Sequence, residues 1–307
     1  MPIDIEKALN VTDAGSVLLQ PDINKEVEAL VEYKNPIRQN LPRKPGSGDG
    51  VYVNMRTPTT TVADFVADTD TLTERQATYA QTKYTYRTIA ARGCVTRKLI
   101  ATGRSYTDVW REELEGRALD FKDYEDWALI WADADTTNQF DGVDALITST
   151  QTVTMTTSSG GTTLTLAKMD EVIDTCSYEP DMIICSKACA RKLNALLQTN
   201  QRFIDRIEVK GGFKVMSYND IPVYRSTNVY DTQTFDGTEV TANTGDTTTT
   251  LFVLDTDHLY VSELTALTVE QLAKTSSQNT KFDIYEDITV VLNNTKSCAK
   301  LIGIDIS

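Results

Sequence analysis

One histidine, His258, is all that a chain of 307 residues contains. Multi-histidine metal sites are thereby excluded, and any histidine-activated nucleophile would depend on that single residue. Cations are scarce too: 30 Lys and Arg stand against 44 Asp and Glu, a formal net charge of −14. A module that grips nucleic acid neutralises phosphates with clustered Lys and Arg, so this balance argues against that class. No apolar run approaches the roughly 18 residues of a membrane-spanning helix, and residues 1–7 show neither the basic nor the apolar region of a secretory signal. The five cysteines are odd in number and dispersed, which reads as reduced thiols in a cytosol. The remainder, 40% hydrophobic and 24% charged, is ordinary for a globular protein and long enough for one large or two small domains.

Candidate chemistry is thin. His258 lies in Asp255-Thr256-Asp257-His258, where a carboxylate beside an imidazole suits a base or a metal ligand. No nucleophile motif accompanies it, so a surface histidine at the start of a strand is the better reading. Cys185 and Cys189 lack the two further ligands zinc needs and read as buried small hydrophobes. Asp68 with Asp70, and Asp133 with Asp135, lack the twelve-residue calcium loop and its closing Glu. The glycine-rich stretch 45–50 follows no strand and opens no helix, which predicts a flexible link and no phosphate cradle. No catalytic, cofactor-binding or metal-binding residue is assigned.

The prominent feature is one long helix over residues 105–134 and the turn after it, 135–142. Trp110, Leu114, Phe121, Trp127, Ala128 and Trp131 recur at helical spacing. Ser105 followed by Asp108 is a start signal, and Glu112, Glu113 and Glu115 suit the positive end of the helix dipole. Such a rod is about 40 Å long. All three tryptophans lie on it, which predicts one broad buried face and an acidic wet one. Gly116 is its weak spot, costing about 1 kcal/mol against Ala unless something packs closely there.

Around this helix the chain divides in order. Residues 1–48 read as an arm with a short amphipathic helix bearing Ile23, Val27 and Leu30, followed by a Pro- and Gly-rich link. Residues 49–92 read as a long two-stranded ribbon. Val51, Val53 and Met55 alternate with Tyr52, Asn54 and Arg56; on the return, Tyr84 and Tyr86 alternate with Lys83 and Arg87; the tip over 57–81 is polar. Such a ribbon is marginal alone, so it packs either on its own domain or over a neighbouring copy. Residues 151–166 alternate Thr with apolar residues around Gly160 and Gly161, predicting a hairpin. A helix over 166–176, a buried strand over 180–185 and a helix capped by Ser186 follow. Short strands are expected near 207–209, 213–216, 221–225, 251–254 and 259–261, with a polar loop over 231–250, then strands over 268–272, 282–292 and 298–306. Helices and strands are partly segregated, so the class is α+β.

That order of parts resembles a tailed-bacteriophage major capsid protein with the Hong Kong 97-type shell fold. The stretch from Glu113 to Asp126, leading to 138–142, resembles the family's spine helix and its turn. Residues 166–174 and 180–186 with the helix that follows resemble its axial helix–strand–helix, and 218–224 its strand turn. The resemblance implies an N-terminal arm (1–48), an extended loop (49–92), a spine helix and peripheral domain (93–150), an axial domain (151–265) and C-terminal strands returning to the peripheral domain (266–307). It implies pentamers and hexamers closing into an icosahedral shell around double-stranded DNA that is enclosed without specific binding, with a portal and a scaffold, separate or as a removed leader. Assembly in the host cytoplasm into a virion capsid follows, with no membrane partner. Ile23, Val27, Leu30, Tyr52, Arg56, Lys83, Tyr84, Tyr86 and Arg87 are the expected contacts between copies. Two alternatives stand beside this reading: an encapsulin-like bacterial compartment of the same fold, and a hydrolase using Asp257 and His258.

Overall fold

The computed structural model describes residues 35–57, 65, 67–68, 74, 76–103, 108–155, 161–199, 206–209, 213–234, 247–273 and 278–307. The chain enters through a single helical turn, α1 (Pro36–Asn40), and β1 (Arg43–Pro45). The ribbon strands β2 (Gly50–Thr57) and β3 (Thr78–Thr85) lead to β4 (Arg87–Thr96), α2 (Arg97–Gly103), the long α3 (Val109–Trp131) and α4 (Val143–Leu146). Next come β5 (Thr152–Thr154), β6 (Thr162–Thr163), α5 (Leu166–Thr175), β7 (Met182–Cys185) and α6 (Lys187–Thr199). β8 (Arg206–Val209), β9 (Phe213–Tyr218), β10 (Ile221–Arg225), β11 (Thr248–Leu254), β12 (Leu259–Gln271), β13 (Asn279–Leu292) and β14 (Ala299–Asp305) complete the order.

Two sheets and two cores follow from two kinds of strand. β1, β12, β13 and β4 form a four-stranded sheet in that order. In β13 the alternate residues Phe282, Ile284, Ile288, Val290 and Leu292 enter the first core, where α3 lies against them. Period two thus gives a sheet with one buried face. The second sheet has eight strands, β5-β14-β11-β7-β10-β9-β8 with β6 also on β14. Its central strands β7 and β11 are buried at every position. Met182, Ile184, Phe252 and Leu254 face the first core; Ile183, Cys185, Leu251 and Val253 face the second, under α5 and α6. Continuous apolar runs are what a strand covered on both faces requires.

α3 carries the first core. Asp108 caps it, its carboxylate accepting from Arg111 N at 3.4 Å, and the helix starts at Val109, later than expected; Ser105 lies outside the described residues. Burial grades along α3 instead of following one stripe. Its first half is half-buried or exposed, whereas Ala128 to Ala132 is buried all round. Trp131 is fixed there by donating Nε1 to Asn228 O at 2.7 Å; it stacks on Tyr230 and meets Phe252 edge-on. The turn that follows folds back tightly. Gly142 N donates to Ala132 O at 2.7 Å, and a Cβ on Gly142 would sit 2.8–2.9 Å from the carbonyl oxygens of Ile130 and Ala128. Only glycine fits that approach.

Several expectations are corrected. Residues 36–50 are no flexible link: Ile37 is fully buried, β1 pairs in parallel with β12, and Gly46 N donates to Glu263 O. Residues 151–166 are no hairpin. β5 and β6 do not pair with each other; both lie parallel to β14 along its open edge. The loop expected over 231–250 ends early, because Thr248, Thr249 and Thr250 are buried in β11. Residues 259–261 and 268–272 largely join into one strand, β12, so the boundary expected between 265 and 266 falls inside it. β14 sits in the eight-stranded sheet, away from β13. α2 is an addition to the expected order of elements.

Candidate interaction surface

β2 and β3 pair only with each other, in antiparallel register from Gly50 opposite Thr85 to Thr57 opposite Thr78. The return strand therefore begins at Thr78, earlier than the polar pattern suggested. It breaks at Tyr86, where the chain crosses from the ribbon into the four-stranded sheet. Of the sixteen residues in the two ribbon strands only Tyr84 is buried. The stem is held by Gln81 Nε2 donating to Asn54 Oδ1 at 2.8 Å and by Lys83 bonding Asp49 at 2.5 Å beneath the Tyr52 ring.

The root is fastened by three groups. Tyr84 donates its hydroxyl to Leu292 O at 3.0 Å, and burial pushes its phenol above the usual range, so it stays a donor. Tyr86 Oη lies 2.9 Å from Ser262 Oγ, and Arg87 Nε donates to Gln139 O at 3.3 Å. Gly46 makes room for this: a Cβ there would lie 1.9 Å from Tyr86 Oη. Of the residues expected between copies, Tyr84, Tyr86 and Arg87 are thus engaged within their own chain. Tyr52, Arg56 and Lys83 are on the ribbon, where all three are exposed. Ile23, Val27 and Leu30 lie outside the described residues. Sequence reasoning missed Tyr79, 73% exposed on β3, and Phe65, wholly exposed in the tip. An aromatic within a polar stretch was the available signal.

A buried charge cluster fixes the entry segment beneath the ribbon. Glu125 of α3 is fully buried and bonds both Arg38 and Arg43; Arg43 also bonds Glu263. Asp126, equally buried, accepts Arg38 N at 2.9 Å and Asn228 Nδ2 at 3.2 Å; burial raises its carboxyl to about 6. Glu286 occupies the apolar face of β13 between Ile284 and Ile288, with both carboxyl oxygens buried and without a hydrogen-bond partner among the described residues. Burial first, then the Glu125 charge, push it up to about 8 against the pull of Arg43 and Arg38. The sequence signal was a carboxylate where the period of β13 calls for an apolar residue.

The remaining candidates are structural. His258 Nδ1 lies 2.7 Å from Asp255 Oδ2, and its ring packs on Tyr178; Asp257 instead donates its N–H to Asp255 Oδ1. The carboxylate beside the imidazole is therefore Asp255, not Asp257. Cys185 and Cys189 are fully buried in the second core, with the Cys189 thiol pushed well above its usual range by its hydrogen bond to Cys185 and by burial. Asp133 Oδ1 accepts Asp135 N–H within the turn after α3.

A family model described as "SU10 major capsid protein" matches residues 55–305. No curated protein sequence matches the chain. Among solved structures, the holo-SrpI encapsulin complex of Synechococcus elongatus PCC 7942 is 12% identical at a TM-score of 0.71, covering 97% of this chain and 96% of that one. Mycobacterium phage Bobi is 14% identical at 0.64, covering 96% and 98%. The capsid of Myoviridae phage XM1 is 12% identical at 0.64, covering 94% and 100%. These likenesses concern the fold alone.

Proposed function

The chain belongs to the SU10 major capsid protein family, and from that premise we infer how it builds its shell. It is a capsid shell protein, a structural protein and not an enzyme. Its copies associate as pentamers and hexamers that close into an icosahedral container for double-stranded DNA. Each ribbon lies over a neighbouring copy. The observation that carries this reading is the ribbon itself: fifteen of its sixteen strand residues remain exposed or only half-buried on the chain's own body. A lone two-stranded ribbon is marginal in water, and a neighbour supplies the missing cover. Specific interfaces take about 800 Å² from each partner, which long exposed strands can provide. We assign the four-stranded sheet to a peripheral region and the eight-stranded sheet, β14 included, to an axial one. A scaffold and a portal direct closure, and assembly takes place in the host cytoplasm before DNA enters. A net charge of −14 suits a wall that encloses DNA without trapping it.

The fold likeness to SrpI encapsulin supports a second container, a compartment around protein cargo. The family match favours the viral shell. Electron microscopy of the expressed protein, alone and with its phage's scaffold, tests both. Closed shells are expected, and particles from infected cells should carry nuclease-protected DNA; protein cargo without DNA would favour the compartment. Removing residues 58–77 is expected to leave a folded subunit that no longer closes shells. Monomers from the intact chain under every condition would refute the reading.

A further inference from the structure

The ribbon bears a bare aromatic at one end and an open aromatic cleft at the other. Phe65, in the tip between β2 and β3, is wholly exposed. At the root a cleft of about 240 Å³ opens between β4, α3 and the turn after α3, lined by Ile89, Tyr124, Trp127, Ala128 and Phe140, with Arg87 also on its wall. Tyr124 is half-exposed and stacks on Trp127 with ring centroids 5.3 Å apart. The cleft has room for one aromatic side chain, and offset or edge-on contact with two rings is the geometry such a side chain prefers.

Phe65 does not occupy this cleft in its own chain, since it is wholly exposed. Its strands pair over eight residues each, a span of about 26 Å at ~3.3 Å per residue. The cleft begins at Arg87, two residues beyond the end of β3. The paired strands therefore run away from the cleft, and Phe65 follows in sequence beyond their far end. A contact between unlike patches of identical chains is head-to-tail, and it closes into rings when the rotation allows.

We propose that Phe65 of one copy seats in the Tyr124–Trp127 cleft of the next, so that every copy gives one ring and receives one. This rests on the shell reading above and names the contact that holds the strap. A single aromatic anchor in a preformed cleft is also how interfaces concentrate their binding energy.

The test uses the full chain with the exposed Cys94 replaced by serine; the other four cysteines are buried. Phe65→Cys and Tyr124→Cys are introduced into separate copies, co-expressed, and the particles mildly oxidised. Non-reducing denaturing electrophoresis is expected to show at least tenfold more covalent dimer in mixed particles than in particles of either variant alone. Shells that form but give no such excess overturn the contact while sparing the shell reading. An intact chain that never forms shells sinks both. As a second measure, Phe65→Ser is expected to lower particle yield at least tenfold and Phe65→Leu to restore most of it; unchanged yield with Phe65→Ser would overturn the proposal.

Discussion

Replacing Glu286 by Gln probes the most unusual electrostatics of the subunit. The carboxyl titrates at 4.5 when the chain is open and at about 8 when folded, because burial and the Glu125 charge oppose its ionisation. The sign follows from proton counting. Between those two values the folded chain holds a proton that the unfolded chain has released, so stability falls as pH rises. The contribution is fully present below pH 4.5 and is lost as pH climbs through about 8. At ~1.4 kcal/mol per pH unit, the loss reaches about 3 kcal/mol by pH 7 and about 5 kcal/mol by pH 9. Gln keeps the shape and never ionises. Glu286→Gln is therefore expected to match the parent at pH 4.5 and to exceed it progressively above. Asp126, which titrates near 6, is common to both proteins and largely cancels in the comparison. Urea unfolding of the ribbon-trimmed subunit at pH 4.5, 7 and 9 measures the gap without interference from assembly. A gap that stays constant with pH would refute the reasoning, since a purely steric or hydrogen-bonding effect does not titrate.

Gly116 faces open space on an exposed part of α3, with nothing within 4 Å of the place an alanine Cβ would take. Gly116→Ala should stabilise the isolated subunit by about 1 kcal/mol in thermal unfolding; a loss of shell formation alongside that gain would locate a close approach by a neighbouring copy. Tyr84→Phe removes the bond to Leu292 O and should cost about 1 kcal/mol, seen as faster hydrogen exchange in β2 and β3 with β13 unaffected. Uniform loosening of the whole subunit would instead assign Tyr84 to the general core.

The parts legible in the sequence are those whose burial repeats along one element. The alternation in β13 and the apolar runs of β7 and β11 each report a local surface; α3 is legible as a helix, but its burial grades along its length. What escapes such reading depends on partners far away in the chain. Pro and Gly make residues 36–50 look like a link, yet Arg38 and Arg43 meet Glu125 more than 80 positions on, and no local pattern announces that pairing. The Thr-rich stretch after α4 alternates like a hairpin because both of its strands are edge strands; that they share β14 as a partner is a tertiary fact. The ribbon is legible as two strands, but its tyrosines cannot be sorted from sequence. Tyr84 and Tyr52 stand in adjacent pairs, Val51 with Tyr84 and Tyr52 with Lys83, and so on opposite faces of the ribbon; only the Tyr84 face meets the body, at Leu292.

That sorting separates the residues that hold the subunit from those the ribbon leaves exposed. Tyr84, Tyr86, Arg87 and the Arg38–Arg43–Glu125 cluster tie the ribbon's base and the entry segment to the first core. Removing one partner of such a buried ion pair costs about 3–5 kcal/mol, so these residues set how firmly the ribbon is aimed. Tyr52, Arg56, Phe65 and Tyr79 lie beyond that base on exposed backbone. Changes among them should leave the unfolding midpoint of the isolated subunit almost unmoved, within about 0.5 kcal/mol. A ribbon held rigidly at its root loses little freedom when its far end is captured, and ordering costs of that kind are what weaken most associations. In the proposed contact the fastened root and the exposed Phe65 are therefore two halves of one device: the first keeps the second where another copy can take it.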